Sequence, residues 1–378
     1  MVLGKSIYEL DNRLILSAGN KISPVILKYF TERGYNYIYI EEEGTEEVIP
    51  EDIISYTVLL KASSSLESIV KNLTKLNKFR NISAEEAIKL FEEECIQDAN
   101  QLFDVRNITD EIVNDISYSA HKILSALIPK SKSTYFVDHA LNTTILSTLI
   151  GYKYRLKKPE LLNLAAGAFL HDIGKIIVEQ LIGHEDNLTA QTLYREHPTF
   201  GYLMMKECKA ISPMENQIVY QHHENQDGSG FPSGLMGKNK PPTKFEVREA
   251  KGQIFRLAEI CAVANAYDKM VLNPNDEKQL KPRDVIKKLI SMAGSTYNKD
   301  IVRTLFQIVP IYPVGVYVKV ANCDDSSLIN YYGIVVDIND ENLNKPIIFL
   351  IIDNKSKKID PIKVDTSKFG MMKLELIL

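Results

Sequence analysis

Five of the seven histidines in this 378-residue chain form a spaced series: His139, His171 beside Asp172, His197, and the doublet His222-His223. Imidazoles and a carboxylate brought to one place make a cage for first-row transition metals such as iron, manganese or zinc, whereas calcium and magnesium sites are built mainly from oxygen. A fold that uses this series must return the chain to one point from four separate stretches of sequence. That demand narrows the possible architectures more than composition does.

Composition sets the outer bounds. The length points to two or three domains, and a hydrophobic content of 45% is enough to fill their cores. The formal net charge of -4 offers no broad positive field, so polymeric nucleic acid is not an expected partner, and a small anionic ligand would need a local basic site. Cys95, Cys208, Cys261 and Cys323 are scattered singly, without the paired spacing of a zinc ribbon or redox motif, as expected of a reduced cytoplasmic chain. Met1 to Lys5 lacks the apolar core of a signal peptide. No apolar run approaches the roughly 20 residues needed to span a bilayer, so no membrane insertion is expected.

The fold class read from periodicity is mainly α, a helical bundle with a small α/β segment before it and a small β segment after it. Residues 1–110 form the first region, a short strand at Leu14 to Leu16, a helix opening at Ser23-Pro24, a strand from Tyr35 to Ile40, then a helical linker with a capping box at Ser83 to Glu86; a regulatory role suits it. Residues 111–309 are almost wholly helical in pattern, with helices expected at Ile112 to Leu127, Asp138 to Tyr152, Leu161 to Leu170, Gln191 to Lys206, Met214 to His222, Phe255 to Met270 and Pro282 to Met292. Residues 310–378 read as strands at Val314 to Val320, Tyr331 to Val336 and Ile347 to Ile352, separated by Asn/Asp-rich turns.

His171-Asp172 follows a buried-type helix and precedes Ile173-Gly174-Lys175. Adjacent residues project about 100° apart, so the pair can serve two metals or two faces of one centre. Alone, the dipeptide reads more readily as a surface polar pair capping a helix end. The block Gln221-His222-His223-Glu224-Asn225-Gln226-Asp227-Gly228-Ser229-Gly230-Phe231-Pro232 adds two ligand-type side chains followed by a tight, backbone-exposing turn. It resembles the signature of the HD-GYP family, bacterial phosphodiesterases of cyclic di-GMP, with Phe231 where the family usually has Tyr. Phe169 to Lys175 resembles the HD block, and Glu196 to Gly201 resembles the intervening His-Pro-x-x-Gly block, in matching order and spacing.

The resemblance implies an HD-type bundle and a metal-dependent hydrolase of cyclic di-GMP acting by attack of metal-activated hydroxide on phosphorus. It implies metal ligation by His139, His171, Asp172, His197, His222, His223 and, at the final position, Asn265. Two divalent transition ions are expected, iron or manganese, with zinc as a third candidate. Lys175, with Asp172, is assigned to catalysis; Lys175, Gly228, Gly230 and Phe231 are assigned to the substrate. Glu224, Asp227 and Asp268 are expected as supporting groups, the first two orienting ring N–H groups, although Glu224 and Asp227 equally suit stabilisation of the turn.

The chain departs from the family pattern in four places. Asn265 stands where a carboxylate is usual, with Asp268 three residues on as a substitute acting through water. Tyr135 stands one helical turn before His139, where some members have a Glu for a third ion. The link from Gly237 to Arg256 is long and rich in Lys and Pro, and the arginines usual in the segment corresponding to Val271 to Asn275 are missing. Two alternatives therefore stand beside the enzyme: a member that binds a cyclic dinucleotide or a protein partner without turnover, and an HD hydrolase of another nucleotide. His121 and His184 are expected at the surface.

Overall fold

The structure, a computed structural model, describes residues 1–377 apart from 5, 9–13, 33–37, 42–43, 45–52, 76–78, 80–81, 94–99, 120–133, 183–186, 207, 243–251, 272–279, 281 and 340–341. His121, His184, Cys95, the expected continuation of a helix to Leu127, residues 243–251 of the Gly237 to Arg256 segment and 272–275 of the Val271 to Asn275 segment lie outside the described residues.

Residues 1–53 and 306–378 cluster in one compact unit, and 54–120 with 134–305 in another. The first begins with β1 (Val2–Leu3), β2 (Ile7–Tyr8), β3 (Leu14–Leu16), α1 (Pro24–Glu32) and β4 (Ile40–Glu41), in which β1 pairs with β4 and β2 with β3, both antiparallel.

The helical unit runs through α2 (Tyr56–Lys75), α3 (Ala84–Glu93), α4 (Asn100–Tyr118), α5 (Tyr135–Lys153), α6 (Lys158–Leu170), α7 (Lys175–Ile182), α8 (Asn187–Tyr194), α9 (His197–Lys206), α10 (Pro213–Gln221), α11 (Arg256–Met270), α12 (Pro282–Met292) and α13 (Lys299–Leu305). Its centre is α5, buried from Val137 to Gly151 and packed against α6 and α11. Such all-round burial needs no amphipathic stripe, because α5 is covered on every side by other helices. The expected capping box forms at α3, where Ser83 N–H donates to Glu86 Oε2 at 2.8 Å and Glu86 N–H to Ser83 Oγ at 3.2 Å. α10 starts in the same way, with Ser212, Pro213 and Glu215.

One expected helix is two. The pattern from Gln191 to Lys206 is broken between Tyr194 and His197, because Pro198 has no N–H to give to the preceding turn and its ring crowds the carbonyl four residues back. Proline suits the first turn of a new helix, and the break places His197 at the start of α9. The apolar stretch Lys158–Leu181 is long enough to span a bilayer, contrary to the sequence expectation, but it is two helices with a turn at residues 171–174 and is mostly buried within the protein.

The chain ends in β5 (Tyr317–Cys323), β6 (Tyr332–Asp337), β7 (Ile347–Ile352), β8 (Lys358–Asp365) and β9 (Met372–Ile377), an antiparallel sheet of order β8-β7-β6-β5-β9. Val318, Val320, Val335, Ile348, Leu350, Val364 and Leu374 form its core.

Candidate metal centre

Four helices deliver the histidine series to one place. His139 lies in the first turns of α5, His171 caps the C-terminus of α6, His197 opens α9, and His222 caps α10 with His223 directly after it. Asn265 and Asp268 come from α11. His139, His171, Asp172, His197, His222, Asn265 and Asp268 are each at most 3% exposed.

Asp172 sits at the middle. Its Oδ2 lies 3.4 Å from His139 Nε2 and 3.3 Å from His171 Nε2; its Oδ1 lies 3.2 Å from His197 Nε2 and 3.6 Å from His222 Nε2. Two donor groups result, His139–His171–Asp172 and Asp172–His197–His222–His223, each with its donor atoms within 4.8 Å of one another and with the carboxylate common to both. One oxygen faces each group, as a bridging carboxylate requires.

The rings are already in the tautomer that metal ligation needs. Nδ1–H of His171 donates to Ala168 O, that of His197 to Tyr194 O and that of His222 to Val219 O, each at 2.7 Å. Nδ1–H of His139 donates to Asp268 Oδ2 at 2.6 Å, a carboxylate–histidine pair. Partners of this kind fix ring orientation and leave Nε2 as the ligand atom. Nε2 of His139, His171 and His223 and Oδ1 of Asn265 are buried with no hydrogen-bond partner among the described residues. Buried polar atoms are rarely left so. Orphaned imidazole nitrogens around a carboxylate fit a divalent transition ion, and the donor set present therefore suits the group the sequence implies.

Electrostatics agree. Burial lowers the pKa of His171, His197 and His222 to about 4 against the partial counter-pull of Asp172, and lowers that of His223 as well, so the cage is neutral imidazole at physiological pH. Burial alone would raise the Asp172 carboxyl, but His171, Lys175 and Lys269 hold it well below the usual carboxylate range. Lys175, the first residue of α7, donates to Asp172 Oδ2 and lies over the Tyr194 ring at 5.2 Å. Burial would lower its pKa, yet the Asp172 carboxylate raises it, so this lysine is a fixed cation.

Of the three expected supporting groups, Asp268 backs a ring, and Glu224 and Asp227 take the turn-stabilising one of their two readings. Glu224 accepts the backbone N–H groups of Ser233 and Leu235 at 2.7 and 2.8 Å, and Asp227 accepts Ser229 N–H and Oγ–H at 2.9 and 2.6 Å; both tie the loop rather than orient a ring, because the ring N–H groups are met by carbonyls three residues back on their own chain. Asp268 serves His139 directly instead of replacing the missing carboxylate at Asn265.

The loop that follows His223 is built for close approach. Gly228 takes φ +81° and gives its N–H to Asn225 O, so that amide is committed to the turn and is not offered to a substrate, contrary to expectation. A Cβ on Gly230 would lie 2.3 Å from Asn225 N and 2.6 Å from His223 O, which leaves glycine as the residue that fits. The turn lays Phe231 flat on the His223 ring, with centroids 4.6 Å apart and planes 13° apart.

Four site residues escaped the sequence reading. Tyr135, considered there only as the place of a lost Glu, stacks on His139 at 5.6 Å. Tyr194 supplies the carbonyl for His197, and Arg195 sets its guanidinium 4.8 Å above the Phe231 ring. Lys269 sends its charge to Asp172, His171, His222 and His223. Pro198 was the available signal for the first pair, since a helix break just before it exposes residues 194 and 195; a lysine at the end of an otherwise buried helix was the signal for Lys269.

Residues 122–244 match the family model described as HD domain. A cyclic di-GMP phosphodiesterase of Pseudomonas aeruginosa, PA4108, is 25% identical over 254 residues, 66% of this chain and 56% of that protein. Cyclic di-GMP phosphodiesterase PdeB of Borreliella burgdorferi is 27% identical over 239 residues, 62% of this chain and 56% of that protein. The match thus spans little more than half the length of these relatives. Among solved structures, Bd1817, an HDG"Y"P protein from Bdellovibrio bacteriovorus, aligns with a TM-score of 0.44 at 18% identity, over 81% of this chain and 94% of that one. Residues 122–244 thus carry an HD domain, and the chain is similar to curated proteins named cyclic di-GMP phosphodiesterases.

Proposed function

We propose that this protein is a metal-dependent phosphodiesterase that hydrolyses cyclic di-GMP. The observation that carries the proposal is the Asp172 carboxylate, with one oxygen turned to each of two histidine groups. The two groups suit two divalent transition ions, iron or manganese. Bound there, such ions supply Lewis acidity at the phosphoryl oxygens and a water acidic enough to attack phosphorus at neutral pH. His139, His171, His197, His222 and His223 would hold the ions, with the Asp172 carboxylate shared between the two groups. Lys175 stays protonated and provides positive charge beside the phosphoryl group, where negative charge develops during in-line displacement. Phe231 and Arg195 give a purine base an aromatic and cationic surface at the rim, and the relatives named for cyclic di-GMP support that substrate. The free thiols of Cys208, Cys261 and Cys323 support a cytoplasmic setting. Residues 1–110 are assigned a regulatory role and 310–378 a separate β segment.

Asn265 favours a second reading, cyclic-dinucleotide binding without turnover, because an amide brings no charge to the cage. One experiment separates the two. Protein reconstituted with Mn(II) or Fe(II) is incubated with cyclic di-GMP and the products are separated by chromatography, beside His171→Ala and Asn265→Asp. Turnover by the wild type that is lost in His171→Ala is expected. Binding without hydrolysis under either metal, with activity appearing only in Asn265→Asp, would replace the enzyme with the sensor.

A further inference from the structure

The loop that carries Phe231 closes on itself through Glu224 and is fastened to the rest of the helical unit through Gln226. Gln226 is buried, and its amide lies in a slot: a Cβ on Gly237 would sit 2.0 Å from its Oε1. The orientation of that amide follows from its neighbours. Asn239 N–H, which can only donate, meets Oε1 at 3.0 Å, so Nε2 is the atom that faces Glu259 Oε1, at 2.6 Å. The other carboxylate oxygen, Oε2, accepts from Asn298 Nδ2 at 3.1 Å. Asn298 is fixed in the same way, because its Oδ1 accepts the N–H of Asp300 at 3.0 Å at the start of α13 and its Nδ2 also reaches Lys240 O at 2.8 Å.

Glu259 therefore joins the loop, α11 and α13. It belongs to the first turn of α11, the helix that carries Asn265 and Asp268; one oxygen holds the loop and the other holds the cap of α13. A buried carboxylate loses its hydration, and acceptance on both oxygens offsets that loss. The main chain follows the same route, with Gln226 N–H donating to Thr296 O at 3.2 Å and Asp227 N–H to Ser295 O at 2.9 Å. Further along the loop, Phe231 gives its N–H to His223 O at 3.1 Å and lays its ring on the His223 ring, so a shift of the loop is passed to a histidine of the four-donor group.

We propose that Glu259 is a positioning residue for the metal centre: through Gln226 it sets the loop, and through the loop the placement of the His223 ring among the donors of its group. The inference rests on the metal-centre reading above. The bond between the two side chains can be reversed without changing the charge. In Gln226→Glu/Glu259→Gln the carboxylate stands at position 226, where it accepts both Asn239 N–H and the amide at 259, whose oxygen still accepts from Asn298. Glu259→Gln alone instead turns an NH2 group toward one of two donors.

The test is metal affinity, with unfolding measured alongside. Full-length wild type, Glu259→Gln, Gln226→Met and the reversed pair are titrated with Mn(II) against a chelator at a temperature where each is folded, and their melting temperatures are recorded without metal. Both single variants are expected to bind the tightest ion at least about tenfold more weakly, the lower end of the loss on removing a support behind a metal ligand, and the reversed pair to recover most of it. Gln226→Met keeps the Glu259 charge, which also lines a cavity with Lys238, Lys240 and Arg256, so it separates position from charge and is the variant expected to fold. Single variants that melt lower yet bind Mn(II) as tightly as the wild type would reduce Glu259 to a stabilising residue and overturn the proposal. A reversed pair no tighter than the singles, or a loss confined to Glu259→Gln, would overturn it as well, and each of these outcomes leaves the metal centre standing. A folded wild type that retains no ion would overturn both.

Discussion

His139, His171, His197 and His222 each use one nitrogen for the protein and keep the other for the cage, and that division is the smallest unit of the account. His139 differs from the rest, because its Nδ1–H meets the Asp268 carboxylate rather than a carbonyl. A carboxylate behind the ring raises the ligand's basicity and holds its angle. Asp268→Ala is therefore expected to weaken metal binding about 10- to 100-fold, with Asp268→Asn recovering part of the loss, as read by competition with a chelator. Unchanged affinity would remove Asp268 from the centre. The ligands themselves were legible in the sequence, because His and Asp at motif spacing carry their chemistry on the side chain. Their supports were not. Glu224 and Asp227 stood near in sequence, yet the groups that orient the rings are the carbonyls of Ala168, Tyr194 and Val219, and a carbonyl has no letter of its own.

Helices set the position of these residues, and the turns between them set the precision. Gly174 separates Asp172 from Lys175 at the turn where α6 gives way to α7, and a Cβ there would sit 2.0 Å from His197 O and 2.5 Å from Gly201 N. Both are backbone atoms and cannot swing aside. Gly174→Ala should cost about 1–3 kcal/mol in urea unfolding, the usual range for overpacking a close contact, and should lower metal content by displacing α9 and its His197. Stability equal to the wild type would show that the α7–α9 approach is looser than it looks. At this scale the sequence told most where periodicity was long, as in α5 and α11, and least where an element was short or interrupted. α7 and α13 have eight and seven residues. β8 carries Pro361 at the sheet edge, where a missing N–H disturbs no ladder, and that proline hid the strand.

Across the helical unit, the cage is a charge-sensitive core that folding builds from neutral imidazoles. His171, His197 and His222 sit at about 4 in the folded chain against 6.5 for the ordinary side chain. Between these values the unfolded chain binds more protons than the folded one, so stability rises with pH across the window and is lost as pH falls from about 6.5 toward 4. Metal-stripped protein should therefore melt at progressively lower temperature through that range, and His222→Gln should flatten the slope. A melting temperature independent of pH there would mean that the rings are not buried as neutral groups. The helical class and the β ending were readable from pattern alone, whereas the grouping of residues 1–53 with 306–378 depends on contacts far apart in sequence, which no local pattern records.

The most direct measurement is an anomalous difference map, recorded at the manganese or iron edge from crystals grown with that metal. The expected result is a peak about 2.0–2.2 Å from the Nε2 atoms of His197, His222 and His223 and from Asp172 Oδ1, and a second beside the Nε2 atoms of His139 and His171 and Asp172 Oδ2. Metal bound elsewhere, or no peak at Asp172 in a crystal of protein that hydrolyses cyclic di-GMP, would contradict the account.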